Sequence, residues 1–191
     1  MSGNSFHVHG PHEHELEHAA HANPSGMAGQ LAVVTAVLAT VGALFSYMGG
    51  AAQANAVLDK NSAAIKKTEA NDQWNYYQAK GSKQNLAELA VVLVPADKRD
   101  EYAQQVQRYK AEKEEIKAKA EALEKESLAW DQRSEEQLHL HHRWAQATTV
   151  LQVAIALAAI ALLTRKRWLE WLTIGGGVLG LLIGVAAALH L

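Results

Sequence analysis

The sequence holds 191 residues, 49% of them hydrophobic and 20% charged, with a formal net charge of −2 and no cysteine. The lack of Cys excludes a disulfide framework, a Cys-ligated zinc site and a thiol nucleophile. The near-neutral balance argues against a general nucleic-acid binder. All 18 Lys and Arg lie after Leu58, and no charge of either sign stands between Glu17 and Asp59. Trp144–Thr164 and Trp171–Leu191 are charge-free as well. Such segregation predicts an all-α membrane protein: three transmembrane helices with a long antiparallel, coiled-coil-like helical hairpin between the first and second.

Residues 1–26 form a His/Glu-rich tail containing six of the ten histidines, His7, His9, His12, His14, His18 and His21. Imidazoles beside Glu13, Glu15 and Glu17 suit zinc, nickel, cobalt or copper. A flexible tail loses entropy for each ligand it orders, so modest affinity is expected. The competing reading is a solvated, pH-responsive tail.

The first span is expected over residues 27–50. Ala52-Gln53-Ala54 resembles a signal-peptide cleavage site, but the apolar run is long and no Lys or Arg precedes it, so it reads as an uncleaved anchor. The second span covers 145–164, a basic turn 165–167, and the third span 168–191, with Trp168 and Trp171 suited to the headgroup region. Arg165-Lys166-Arg167 should stay in the cytoplasm, which places the N-terminus there and the insert outside. Glu170 lies one helical turn from those cations and suggests an interfacial ion pair. Gln30, Thr148, Thr149 and Gln152 form no regular polar stripe along a span.

Residues 51–144 have the Ala, Gln, Lys, Glu and Leu richness of long helices, interrupted by one proline, Pro95. A tip near 94–98 leaves two arms of nearly equal length, each about 70 Å at 1.5 Å per residue. Heptad spacing proposes the seam: Leu58, Ile65, Leu86 and Leu93 on the first arm, and Tyr102, Tyr109, Ile116, Leu123 and Trp130 on the second. Asp72 fits poorly opposite Leu123. The alternate heptad positions are weak, which leaves room for neighbouring subunits. His139 and His142, three apart before the second span, are a further two-ligand candidate for metal.

Gly176, Gly180 and Gly184, with Gly42, Ser46 and Gly50 on the first span, repeat small residues every four positions. Such spacing lets helix backbones approach closely. It marks these six as candidate oligomerisation residues, with packing inside one chain as the alternative.

The stretch Glu69-Ala-Asn-Asp-Gln-Trp-Asn-Tyr-Tyr-Gln-Ala-Lys80, preceded by Lys60-Asn61-Ser62, resembles a family of small bacterial membrane proteins catalogued as domain of unknown function 4337. The similarity extends over essentially the whole chain. It implies a bacterial inner-membrane location and a helical architecture, and brings no activity, cofactor or catalytic residue.

No phosphate loop, HExxH motif or nucleophile elbow is present, so no enzyme is expected. The favoured function is a self-associating scaffold or interaction module in the bilayer, a homo-oligomer with a possible protein partner at the hairpin. A divalent-metal accessory acting through the tail is the alternative, and a small oligomeric channel the second.

Overall fold

A computed structural model describes residues 26–189. Among these residues there is no strand. Helix α1 spans Met27–Leu93, a 3-10 turn spans Ala96–Lys98, α2 spans Arg99–Thr164 and α3 spans Arg167–Ala188. Each α-helix contains a stretch long and apolar enough to cross a membrane. The helices end where the chain leaves them no choice. Pro95, at φ −57° and ψ 154°, cannot continue α1, and Arg99 Nε donates to the Val94 carbonyl at its end. Arg165 closes α2 in the left-handed region at φ 54°, its N–H donating to the Ala161 carbonyl at 2.8 Å. The connection to α3 is therefore two residues, Arg165-Lys166. Arg167, expected in the turn, is already helical.

The described residues divide into two units, one comprising those up to Gln53 together with those from Leu138 onward, and the other Ala54–Gln137. Residues 138–144 belong with the spans because Trp144 stacks on Phe45, ring centroids 5.1 Å apart, and His141 Nδ1 lies 2.8 Å from the Gly49 carbonyl oxygen.

Within the first unit α2 buries one stripe, Trp144, Ala147, Leu151, Ala154, Ala158 and Ala161, at the three- and four-residue spacing of a helix face. Leu31 clusters with Ala158, Ala161 and Leu169; two turns further, Leu38 clusters with Leu151 and Ala154. Positions on α1 therefore rise as those on α2 fall, which makes α1 and α2 antiparallel.

In the second unit the contacts also descend. Ser134 Oγ donates to the Ala56 carbonyl at 2.8 Å, and Ser127 Oγ to the Ala63 carbonyl at 2.9 Å. Ala70 and Ala120, both at 0% exposure, occupy the next layer. Lys67 pairs with Glu124 at 2.9 Å and Lys80 with Glu112. Further along, Lys113 Nζ donates to Gln84 Oε1 at 3.3 Å and Lys110 approaches Glu88 at 3.8 Å.

These contacts correct the first-arm seam. Leu58, Ile65, Leu86 and Leu93 are all exposed; the buried positions are Ala56, Ala63, Ala70 and Ala87. The physical reason is distance. Serine hydroxyls reach carbonyls of the facing helix only when two backbones lie close, and leucines in that layer would hold them apart. The shift of two residues also removes the misfit at Asp72, which sits on the exposed face. On the second arm Ile116 is buried, while Tyr102, Tyr109, Leu123 and Trp130 are half-buried.

Candidate functional site

The glycine positions lie mainly inside one chain. A Cβ on Gly180 would meet Leu151 Cδ2 at 2.6 Å and the Leu151 backbone nitrogen at 3.3 Å. On Gly184 it would run into the Phe45 ring, and on Gly176 it would lie 3.2 Å from Ala154 Cβ. Gly177, outside the proposed ladder, receives Leu38 in the same way, at 2.9 Å. Gly42 is buried beside Leu151. At Gly176, Gly180 and Gly184 side chains of α1 and α2 of the same chain fill the notches, the intrachain packing that the four-residue spacing also allows. Ser46 and Gly50 are exposed, and no heavy atom lies within 4 Å of a Gly50 Cβ.

His7, His9, His12, His14, His18 and His21 lie outside the described residues. His139 and His142 are both exposed, and it is His141 whose ring approaches His142, at 5.6 Å. Among the described residues no three His, Asp or Glu side chains converge as a metal would require.

The aromatic element at 72–80 packs largely within its own unit. Trp74 meets Tyr77 edge to face at 5.7 Å, and Lys113 Nζ sits 4.7 Å above the Tyr77 ring. Lys80 stands 5.2 Å from the Tyr76 ring and 5.6 Å from that of Tyr109 while pairing with Glu112. The hydrogen bond Lys80 donates to Glu112, joined by one to the Tyr76 hydroxyl oxygen, raises the Lys80 pKa above its ordinary value. Reciprocally, Lys80 lowers Glu112, and Lys67 lowers Glu124.

Because alanine and serine fill the seam, several large aliphatic side chains of the first arm face outward. Leu58, Ile65, Leu86 and Leu93 repeat at multiples of seven and are 59–72% exposed; Val57, Leu89 and Val92 flank them. Burial of such side chains is worth ~1.5–3 kcal/mol each, so this exposed row is the largest unrealised apolar contact of the first arm.

A second feature escaped sequence reasoning. Between the beginnings of α1 and α3 lie two open grooves of about 450 and 590 Å³ that share Gln30, Glu170 and Ile174. One continues over Val33 and Val34 and is mainly apolar; the other reaches Arg167 and Trp171. The expected ion pair of Glu170 with the basic turn does not form: among the described residues no cation lies within 4.0 Å of its carboxylate. Gln30 and Glu170 are 140 positions apart, and nothing in local sequence links them. The acid in the first turn of an otherwise apolar helix was the available signal.

No curated protein and no solved structure matches the chain. A family model, Domain of unknown function (DUF4337), matches residues 27–190. All three α-helices fall inside that match, and the chain belongs to the DUF4337 family.

Proposed function

We propose that this protein is a bacterial inner-membrane scaffold: three spans anchor an antiparallel, coiled-coil-like hairpin whose outer apolar row binds a second copy of the chain. The observation that carries the reading is the exposed heptad row Leu58, Ile65, Leu86 and Leu93. Heptad spacing is what one helix offers another of the same kind, and each side chain buried contributes ~1.5–3 kcal/mol. The hairpin reading is supported by the descending pairs Ala56–Ser134 and Ala63–Ser127, and by the sharp stop at Pro95. Anchoring is supported by three helices of span length and apolarity. The basic turn Arg165-Lys166-Arg167 favours a cytoplasmic N-terminus with the hairpin outside, and reporter fusions at Met1 and after Leu191 should report opposite sides.

The chain contains no cysteine, so one introduced thiol reports one position. Leu86→Cys in native membranes should give a disulfide-linked dimer on mild oxidation, while Glu114→Cys should give much less. The double change Leu86→Lys, Leu93→Lys should convert the detergent-solubilised oligomer to monomer. A wild-type chain that is monomeric at every concentration, in detergent and in bilayers, would overturn the proposal.

A further inference from the structure

We propose that the groove between the beginnings of α1 and α3 is a specific site for a phospholipid whose headgroup carries a primary ammonium. The inference rests on the membrane placement proposed above and not on self-association. The groove has the layout of such a lipid. Its polar end is lined by Arg167, Glu170, Gln30 and Trp171, and its other end by Val33, Val34 and Ile174. From Arg167 to Ile174 α3 rises about 10 Å, enough to carry the lining from headgroup level into the acyl region.

The charges decide which headgroup. Arg167 offers a planar fork of donors matched to a phosphate. Glu170, one turn further along α3, is an acceptor-only group at the edge of an apolar surface. A carboxylate there is costly unless it meets a cation, and among the described residues none is within 4.0 Å. Side chains on a helix lean toward its N-terminus, so Glu170 reaches back toward the headgroup layer, where Gln30 supplies a second acceptor. A primary ammonium brings three donors to these oxygens. A trimethylated choline brings none, and an anionic glycerol headgroup brings repulsion from Glu170. The apolar end needs only acyl chain.

The test is native mass spectrometry of the full chain released from nanodiscs of phosphatidylcholine doped with phosphatidylethanolamine or phosphatidylglycerol. One phosphatidylethanolamine per chain should be retained, at least about fivefold over phosphatidylcholine at equal mole fraction. Glu170→Gln should remove that preference while leaving total phospholipid retention nearly intact. Arg167→Gln should lower retention of all phospholipids, and Val34→Phe, which fills the apolar end, should do the same with helical content unchanged. Equal retention of the two zwitterionic lipids by the wild type, a preference for phosphatidylglycerol, or an undiminished preference in Glu170→Gln would each overturn the site. A chain that fails to enter nanodiscs at all would instead overturn the membrane placement.

Discussion

The two units use small residues at their helix contacts, and they do so for different physical reasons. In the span unit Gly177, Gly180 and Gly184 take Leu38, Leu151 and Phe45 into notches that a Cβ would close. Lipid is as apolar as leucine, so close packing is what separates the associated state from the dispersed one. In the second unit Ala56, Ala63 and Ala70 accept Ser134, Ser127 and Ala120, and serine-to-carbonyl bonds tie the layers. The consequence for the outer faces is opposite. Leu163 and Leu182 in the spans are about as exposed as Leu86 and Leu93, yet in a bilayer the first two already have their solvent. In water, exposed side chains such as Leu86 and Leu93 cost ~25 cal/mol per Å² of apolar surface. Identical exposure therefore carries a different cost in lipid and in water.

The largest expected effect breaks the first half of that comparison. Gly180→Ile places branched carbon where Leu151 already sits, including its backbone nitrogen, and should cost ~3 kcal/mol in unfolding titrations in detergent. Gly50→Ile, where nothing lies within 4 Å, should leave stability unchanged. Equal effects would mean that the notch at Gly180 is not made within the chain. Next in size is Ala70→Leu, which overfills the layer shared with Ala120 and should cost ~2 kcal/mol. If the seam instead ran through Leu58 and Ile65, Ala70→Leu would be neutral or stabilising. Ser127→Ala is milder, because the Ala63 carbonyl keeps its bond within its own helix. It should cost ~1 kcal/mol, read as a shift in the denaturation midpoint.

The three helices with apolar stretches of span length and the break at Pro95 were legible because charge and proline act locally: a charge-free run near 20 residues and a missing N–H carry their meaning wherever they occur. The first-arm seam was not legible by the same habit. Leucine and isoleucine dominate any hydrophobicity pattern, and the stripe at Leu58, Ile65, Leu86 and Leu93 is a true heptad on the wrong face. The quieter signal was the repeat Ala56, Ala63, Ala70 matched by Ala120, Ser127, Ser134, which small volumes keep below notice. The glycine ladder was visible as spacing, but spacing does not say whose side chain enters the notch. The groove at Gln30, Arg167 and Glu170 assembles residues from opposite ends of the chain, and only the fold brings them together.

The smallest effect sharpens the second half of the comparison. Ion pairs flank the alanine–serine seam, and their pH dependence has a fixed sign. Glu112, held by its hydrogen bond to Lys80, and Glu124, held by Lys67, titrate below their ordinary value of 4.5. Their stabilisation is complete above that value and is lost as pH falls through the depressed one. Lys60, bonded to Asp131, and Lys80, bonded to Glu112, titrate above 10.5, so theirs is complete below that value and is lost as pH rises past the raised one. Between these limits the contribution is flat. The pairs are solvent-accessible, so each step is small and should shrink with added salt. Carboxyl-detected NMR titration is the direct reading: Glu112 should move back toward its ordinary value in Lys80→Met, while Glu124 should not. A Glu112 that titrates normally in the wild type would dissolve the cross-helix pair, and with it the register of the seam at that layer.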